Sequence, residues 1–549
     1  MNRPRPTVYS PFLSEKRCRK YLHYQQVMWQ TFAGRNYFRT ERKAGRVPPG
    51  IRRCGPRLGK ECFFCNRRRG HFGDVAGECV GAGQAQVRRA QGALRAIQGN
   101  RWPATQLTRN RIYSPDRAPE CLCFRWPSPS LPLSWWHPML KTRLARRIFK
   151  GFAVLAMLGV LGVATLLGSL WLEHRTEVTL PTPTGPFAVG RKTYAWADDA
   201  HSDALAPVPG TRRELVVWIW YPSAAGQSAA RTSDYLPAPL RAAVERARPA
   251  LITKFLTRDL SKVHTHSTPD SDVSPQKRSF PVVIMRAGGS AEVTNYSTLA
   301  EDLASHGYIV VGFDAPYRTG LVVFPDGRVI AETPENNPEL CLGQEQQERC
   351  ANRLLAAWTA DIAFVLDRLE QLNVSDASAT FTGRLDMTRV GVFGHSFGGA
   401  AAALFCHEDS RCKAGIDVDG APHGSIIQAG IDRPFMFLLS DHSRESDPES
   451  HQILANVQSI YDRLPPNGRL RIAIRSANHF TFSDDGALLK SHLLRGVLRV
   501  FGKLGIDGRR QLAVTAYCVH SFFDAYLKGA SASPLKISSP LYPEIQVLE

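Results

Sequence analysis

The chain contains 549 residues, 43% of them hydrophobic, and carries a formal net charge of +20 at pH 7. Residues 1–138 hold 26 Lys and Arg against 7 Asp and Glu, a net of +19, so only +1 remains for the rest of the chain. The basic charge therefore belongs to the amino-terminal segment, and the remainder carries no charge that would indicate a nucleic-acid partner.

The amino-terminal segment, residues 1–138, has no helical or strand periodicity and is rich in Arg, Gly, Pro and Trp. We expect it to be disordered. Cys62 and Cys65 form a C-x-x-C pair with Cys54 and Cys79 on either side, a composition that suggests a zinc site. The irregular spacing of these four cysteines argues against one. The alternative is a start codon assigned too early, because Met139 opens a basic and then apolar export signal of its own.

A membrane-spanning helix is predicted next. Residues 151–172 contain no charged residue over 22 positions, which is enough to cross a bilayer as a helix. Basic residues precede this run and acidic residues follow it, so residues 139–175 predict a single-pass anchor in the cell membrane. Its amino terminus would be cytoplasmic, and residues 176–549 would face the periplasm or cell exterior. The alternative is a cleaved signal peptide and secretion, although no A-x-A site closes the run.

Strands and helices alternate from residue 176 onward, which predicts a doubly wound, mostly parallel α/β fold. One unbroken alternation favours a single large domain over two. The predicted elements before the elbow strand are strand 214–221, strand 281–286, helix 297–306, strand 308–314 and helix 350–371. Helical spacing predicts that the last of these helices faces the sheet with Trp358, Ile362, Val365, Leu366 and Leu369.

Residues 229–279 interrupt this alternation with apolar residues near helical spacing and a polar tail. One interpretation is a cap helix over the functional site. The other, a peripheral helix with a loop, fits the pattern equally well.

A nucleophile elbow is the strongest motif of the chain. Residues 390–400 contain a G-x-S-x-G pentapeptide between an apolar run and a start of small residues typical of a helix. The sharp turn would expose the hydroxyl of Ser396, and Gly394 and Gly398 would permit the strained backbone. The N–H of Phe397 would then face the reacting carbonyl as half of an oxyanion hole. The alternative is an ordinary glycine-rich turn with an inert serine.

A nucleophilic serine needs a general base, and the base needs an acid that fixes its tautomer. Three acids follow the elbow. Asp419 comes at the tip of the next predicted strand, Asp417 lies two residues deeper in that strand, and Asp441 is at the tip of the strand after it. We favour Asp419, because a residue beyond a strand end reaches the site most easily, whereas an acid within a strand usually has a structural partner.

The predicted general base is His479, which stands in the loop 476–482 after the last predicted strand, 470–475. The position of this histidine makes the case, since most histidines of a chain are plain surface residues. His395 is the variable residue of the elbow. His423 follows the proposed acid, either as a pocket residue or, more simply, as an ordinary loop residue.

Five cysteines fall in the predicted α/β domain. In an oxidising compartment, Cys341 with Cys350 and Cys406 with Cys412 would close short disulfide loops and leave Cys518 free. If the domain faced the cytosol, all five would be reduced.

The chain resembles the platelet-activating factor acetylhydrolase family of α/β-hydrolases, on several short motifs that occur in one order. They are residues 184–190, 214–222, 280–285, 302–311, 394–399 and 522–527. The resemblance implies Ser396 as nucleophile, Asp419 as acid and His479 as base. It also implies an oxyanion hole formed by the N–H groups of Phe397 and Gly289.

The oxyanion loop departs from the family pattern. Where relatives carry His-Gly-x-Gly, this chain has Ala287-Gly288-Gly289-Ser290 after Arg286. The family histidine is therefore missing, which affects the shape of the acyl pocket but not the triad.

The sequence thus predicts a serine ester hydrolase that needs no metal or organic cofactor and works through an acyl-enzyme. The resemblance implies a small ester or phospholipid substrate with a short or truncated acyl group, with sn-2 acyl groups of phospholipids as candidates. Alternatives are a general carboxylesterase, a polyesterase, a dienelactone-hydrolase-like enzyme or a peptidase. A catalytically silent binding module is the alternative of another class.

Overall fold

A ten-stranded sheet organises the chain from residue 188 onward. The structure, a computed structural model, describes residues 143–224, 233–247, 258–340, 344–441, 448–488, 505–532 and 539–548, with the single residues 496 and 535. The predicted amino-terminal segment 1–138 lies outside the described residues.

The strands in the described residues are β1 Val178–Thr179, β2 Ala188–Ser202, β3 Arg212–Ser223, β4 Ser233–Asp234, β5 Val263–Thr265, β6 Ser267–Pro269, β7 Phe280–Arg286, β8 Ile309–Asp314, β9 Leu321–Val323, β10 Val329–Ala331, β11 Leu385–His395, β12 Cys412–Val418, β13 Phe435–Leu439, β14 Arg469–Ile474 and β15 Ile545–Val547. The large sheet has the order β15-β14-β13-β12-β11-β7-β8-β3-β2-β6. Its strands are parallel to one another from β14 to β8. At the edges, β15 pairs antiparallel with β14, β3 with β8 and β2 with β3, and β6 pairs parallel with β2.

The α-helices in the same residues are α1 Arg143–Arg175, α2 Ala238–Ala247, α3 Ser297–Ser305, α4 Gln344–Val374, α5 Phe397–Glu408, α6 Ile426–Ala429, α7 Pro448–Tyr461, α8 Asp485–Leu488 and α9 Gly508–Lys528. Single 3₁₀ turns occur at Leu260–Lys262, Val293–Tyr296, Pro334–Asn336, Pro338–Leu340 and His479–Phe482. The predicted loop after β14 thus contains a 3₁₀ turn that begins at His479.

Helices cover both faces of the sheet. Alternate residues of a strand point to opposite faces, and β7 follows this rule, since Val283 and Met285 join one hydrophobic cluster while Val282 and Ile284 join another. The first cluster includes residues of α3 and α9, and the second includes residues of α4, α5 and α7. The five sheet-facing residues predicted in α4 are all buried. The predicted α/β class is confirmed.

The predicted insert 229–279 contains a short helix and three short strands. Helix α2 buries Leu240, Ala243 and Val244 in the first cluster, and β4 and β5 form a small sheet with β1. The remaining parts of the insert, residues 229–232 and 248–257, lie outside the described residues. A role for the insert as a cap over the site stays a prediction.

The amino-terminal helix α1 is long and apolar enough to cross a membrane, judged by its length and composition alone. It includes the uncharged run 151–172 predicted from the sequence. A signal sequence shares these properties of length and composition.

Two distant sequence motifs meet at helix α3. The backbone N–H and the hydroxyl of Thr184 donate to Oδ1 of Asp302, at 2.9 and 2.7 Å. A methyl group at Gly185 would approach the backbone carbonyl of Ser305 to 2.3 Å, so only glycine fits there. These contacts join the motifs at residues 184–190 and 302–311, neither of which supplies a residue of the predicted triad.

One predicted disulfide is present. Cys406 at the end of α5 pairs with Cys412 at the start of β12, with their Cα atoms 5.1 Å apart. Cys518 is free, as predicted, and the structure buries it. The other predicted pair involves Cys341, which lies outside the described residues.

Candidate active site

The serine of the pentapeptide stands on a strained turn between β11 and α5. Ser396 has φ 56° and ψ −127°, a backbone conformation that costs of order 1–3 kcal/mol for a residue with a side chain. The flanking glycines permit the turn. A methyl group at Gly394 would lie 2.2 Å from the carbonyl oxygen of Gly398, and one at Gly398 would lie 2.2 Å from the carbonyl oxygen of Ala287. The turn therefore has the backbone geometry expected of the predicted nucleophile elbow.

The predicted nucleophile, base and acid lie in hydrogen-bond contact. Nε2 of His479 is 3.1 Å from Oγ of Ser396, and Nδ1 of His479 is 2.7 Å from Oδ2 of Asp419. The Asp419 side chain is 2% exposed, whereas that of His479 is 34% exposed. All three follow the carboxyl ends of parallel strands, where open α/β sheets bind their ligands. The arrangement suits proton transfer from Ser396 to His479.

The structure also separates the three competing acids. The other carboxylate oxygen of Asp419 accepts a hydrogen bond of 2.7 Å from the N–H of Ser440. Asp441 accepts one of 2.7 Å from the N–H of Ser476, at the start of the loop that carries His479. Among the carboxylates of the described residues, Asp419 therefore contacts the imidazole, while Asp441 contacts the backbone of the same loop.

Asp417 lies beneath the elbow and is fully buried. Its Oδ1 accepts the N–H of Gly420 at 2.8 Å, and methyl groups at Gly399 or Gly420 would clash with the same oxygen. Burial raises the pKa of Asp417 to about 8, the bond from Gly420 opposes this rise, and the charge of Asp419 adds to it. Asp417 is therefore a protonated structural group at neutral pH.

We expect Asp417→Asn to remove part of the pH dependence of stability. Between about pH 4 and 8 the unfolded chain loses a proton that the folded chain keeps, so the free energy of unfolding falls as pH rises, by up to about 1.4 kcal/mol per pH unit for this one group. The measurement is thermal unfolding of both proteins at pH 5 and pH 8. On going from pH 5 to pH 8, the melting temperature of the variant should rise relative to that of the natural protein. If the difference in melting temperature between the two proteins were the same at both pH values, Asp417 would not be the protonated buried group.

The predicted oxyanion donors are neighbours. Phe397 opens α5, and N–H groups in the first turn of a helix have no acceptor within the helix. A methyl group at Gly289 would lie 4.0 Å from Cβ of Phe397 and 2.9 Å from the ring of Pro338. The two N–H groups therefore belong to adjoining residues beside Ser396, with Pro338 against Gly289.

The departure from the family loop has a structural counterpart. Ser290, where relatives carry glycine, adopts a left-handed φ of 59°. Its hydroxyl lies 2.8 and 2.6 Å from the two carboxylate oxygens of Glu332, to which it donates, and it accepts a bond of 3.2 Å from the amide of Asn337. The chain thus holds this end of the loop by side-chain hydrogen bonds. The sequence offered no signal for them, because all three residues are common polar types in loops.

An apolar wall lies behind the elbow. The ring of Trp358 meets the ring of Phe397 edge to face at 5.0 Å, within a cluster that contains Leu205, Leu354 and Leu355. The guanidinium of Arg286, at the end of β7, lies 4.3 Å from the same Trp358 ring. Burial lowers the pKa of Arg286 to about 10. The wall offers apolar surface next to one predicted oxyanion donor.

His395 has more partners than a variable elbow residue requires. It is 7% exposed, and its Nε2 lies 3.0 Å from the backbone carbonyl of His479. Its Nδ1 lies 2.8 Å from the hydroxyl of Tyr296. Sequence reasoning missed these contacts because the pentapeptide leaves this position open.

His423, in the loop after β12, has its pKa lowered by burial, and its place in a pocket stays a prediction.

In the part of the chain that the structure describes, one group of side chains has the composition of a metal site. It comprises Asp302, His306 and His520. Nδ1 of His520 lies 2.8 Å from Oδ2 of Asp302, and Nε2 of His306 lies 2.9 Å from the hydroxyl of Thr184. Hydrogen bonds therefore account for the placement of all three, and none of them belongs to the predicted triad.

Comparisons with known proteins identify the family of the chain. Residues 172–529 match the family model described as platelet-activating factor acetylhydrolase, isoform II. A probable 1-alkyl-2-acetylglycerophosphocholine esterase of Arthroderma benhamiae is 27% identical over 400 residues, which cover 67% of this chain and 94% of that protein. The platelet-activating factor acetylhydrolase of Canis lupus familiaris is 28% identical over 263 residues, or 43% of this chain and 55% of that protein.

A solved structure is similar as well. The ferulic acid esterase from Streptomyces cinnamoneus superimposes with a TM-score of 0.54 at 26% identity and covers 68% of this chain and all of that one. The similarity supports an ester hydrolase on an α/β-hydrolase fold.

Proposed function

This chain belongs to the platelet-activating factor acetylhydrolase isoform II family, and we propose that its ester hydrolysis runs through Ser396, His479 and Asp419. The chain is a serine ester hydrolase of the α/β-hydrolase kind, as its relatives indicate. The observation that carries the assignment of roles is the pair of hydrogen bonds that joins the three side chains in the order serine, histidine, aspartate.

The geometry supports the following reaction. Nε2 of His479 accepts the proton of Ser396 as Oγ attacks the ester carbonyl, and Asp419 holds the opposite ring nitrogen as N–H and stabilises the imidazolium. The N–H groups of Phe397 and Gly289 stabilise the negative oxygen of the tetrahedral intermediate. His479 then protonates the leaving alcohol. Water attacks the acyl-enzyme with His479 as base, which releases the acid and restores Ser396.

We propose esters with short or truncated acyl groups as substrates, sn-2 acetyl groups of glycerophospholipids among them. The names of the relatives support this class, and Pro338 against Gly289 together with the Trp358 and Phe397 rings supports a small acyl pocket. A second candidate is an aryl or general carboxylic ester, because the similar solved structure is a ferulic acid esterase.

A substrate panel tests both candidates. The full-length protein would be assayed on p-nitrophenyl esters from acetyl to palmitoyl, on a 1-alkyl-2-acetylglycerophosphocholine and on a feruloyl ester, with and without a chelator. We expect the highest kcat/KM on the shortest acyl groups, turnover of the phospholipid and no effect of the chelator. A preference for the feruloyl ester would favour the second candidate. No turnover of any ester by a folded protein would favour a silent binding module.

We also propose that helix α1 anchors the enzyme in the cell membrane with its catalytic part outside the cytoplasm. Basic residues flank the amino-terminal end of α1, and the Cys406–Cys412 disulfide suits an oxidising compartment. We expect full-length protein to resist carbonate extraction from membranes and to lose its catalytic part to protease added from outside the cytoplasm. A free protein that begins beyond α1 would instead establish a cleaved signal peptide.

A further inference from the structure

A chain of hydrogen bonds connects the predicted oxyanion loop to the loop of the predicted base. The backbone N–H of Gly288 donates to the hydroxyl of Tyr296 at 3.1 Å. That hydroxyl lies 2.8 Å from Nδ1 of His395. Nε2 of His395 lies 3.0 Å from the backbone carbonyl oxygen of His479. Three bonds thus link the neighbour of Gly289 to the main chain of His479.

The chemistry of the groups fixes the direction of the two outer bonds. A backbone N–H can only donate and a backbone carbonyl can only accept, so Tyr296 accepts from Gly288 and His395 donates from Nε2 to His479. The direction of the middle bond depends on the protonation state of His395. In the neutral form with the proton on Nε2, Nδ1 accepts the single proton of the Tyr296 hydroxyl, and Tyr296 and His395 each use one donor and one acceptor.

The surroundings favour that form. Tyr296 is 2% exposed and His395 is 7% exposed. Burial lowers the pKa of His395 to about 3, with the charge of His479 acting in the same direction and that of Asp419 against it. Burial likewise raises the pKa of Tyr296. Both side chains are therefore neutral near pH 7, and an imidazolium at His479 disfavours a second one at His395.

The packing leaves little freedom for either loop. A methyl group at Gly288 would lie 3.3 Å from Nδ1 of His395, from Cβ of Ser396 and from the Tyr296 hydroxyl alike. The rings of His395 and His479 have centroids 4.5 Å apart. Movement of the loop at Gly288 would therefore displace the same side chain that supports the main chain of His479.

We propose that Tyr296 and His395 are positioning residues that set the distance between the oxyanion loop and the general base. Neither would touch substrate. The inference rests on the proposed roles of Gly289 and His479 and adds a reason for a histidine at the open position of the elbow. The chain of hydrogen bonds would act on the alignment of the transition state. Its loss should therefore lower kcat and leave KM nearly unchanged, since a misplacement of about 1 Å can cost about 100-fold in rate.

The test compares two buried tyrosines in the full-length protein. Tyr296→Phe removes the central hydroxyl. Tyr221→Phe is the matched control, because Tyr221 is also buried and also donates its hydroxyl bond, to the carbonyl oxygen of Ser271 at 2.6 Å. On p-nitrophenyl acetate we expect kcat to fall about tenfold in Tyr296→Phe with KM within about twofold, and to stay within about twofold in Tyr221→Phe. Equal effects in the two variants would overturn the inference.

A double variant tests the connection itself. His395→Gln keeps a donor close to the place of Nε2 but loses the acceptor for Tyr296. If the bonds act as one chain, Tyr296→Phe combined with His395→Gln should be about as slow as the slower single variant. Rate losses that multiply would show two independent structural effects and would contradict the proposal.

A spectroscopic readout separates this inference from the proposed function. In protein with ¹⁵N-labelled histidine, we expect His395 as a neutral Nε2–H tautomer between about pH 5 and 9, and a shift of the His479 signals in Tyr296→Phe but not in Tyr221→Phe. Without that shift the inference fails even if the enzyme is active. If the shift is present but the natural protein has no activity that depends on Ser396, the proposed function fails and the connection between the loops stands.

Discussion

Replacing Ser396 with alanine is expected to lower kcat for ester hydrolysis roughly 10⁵-fold. The hydroxyl is the atom that forms the acyl-enzyme, and Nε2 of His479 at 3.1 Å is in place to take its proton. No other serine hydroxyl in the described residues is bonded to this imidazole. The measurement is the initial rate on p-nitrophenyl acetate, beside the thermal unfolding curve of each protein.

The matched control is Ser425→Ala, because Ser425 is an exposed serine in a loop on the same chain. That variant should keep the full rate. If Ser396→Ala lost activity and also had an altered unfolding curve, the loss would indicate a folding defect. A well-folded Ser396→Ala protein that retained the rate would show that another group carries the reaction.

Asp419→Asn is expected to lower kcat roughly 10⁴-fold. An asparagine at this position can present an N–H to Nδ1 of His479, which would then carry its proton on Nε2 and be unable to accept one from Ser396. The backbone turn should persist, since the amide oxygen can still accept the N–H of Ser440. The loss should therefore appear in kcat, measured on p-nitrophenyl acetate, with little effect on the unfolding temperature.

Asp441→Asn is the control that the structure supplies. Asp441 follows the neighbouring strand, and its carboxylate accepts the N–H of Ser476, which an asparagine oxygen can also accept. We expect its kcat to change by less than about threefold. The reverse order of effects would make Asp441 the acid and would contradict the contact between Asp419 and His479.

The α/β fold was predictable because its strands are buried on both faces. Strands β7, β8 and β13 are buried along their whole length and are mainly apolar, and turns and amphipathic helices separate them. The elbow was predictable for a local reason. Its two glycines stand where any side chain would clash with a backbone carbonyl, so the requirement appears within five residues of sequence.

The choice among the acids depended on tertiary structure. Asp417, Asp419 and Asp441 all occur at or near strand ends, and only the geometry of the turn after β12, where Asp419 has φ 55°, directs one carboxylate to the imidazole. Sequence spacing favoured Asp419 but could not exclude Asp441. Their different partners, an imidazole for one and a backbone N–H for the other, arise from loops distant in sequence.

The supports of the oxyanion loop could not be predicted from the sequence. Ser290 is 42 residues from Glu332, and Tyr296 is 99 residues from His395. Each pair joins common polar residues across the fold, with no local periodicity or motif.

The long antiparallel strand β2 was not predicted from the sequence for a related reason. Its exposed half carries polar residues, and its pairing partner β3 determines its extent.

Covalent labelling by an organophosphate tests the central claim most directly. Full-length protein would be titrated with the inhibitor, and residual activity and the modified peptide would be determined on the same samples by ester assay and mass spectrometry. We predict one adduct per chain, located at Ser396, with activity lost in proportion to labelling and no adduct at this position in Ser396→Ala. Activity that persists when Ser396 is fully modified, or complete inactivation without an adduct on Ser396, would contradict the account.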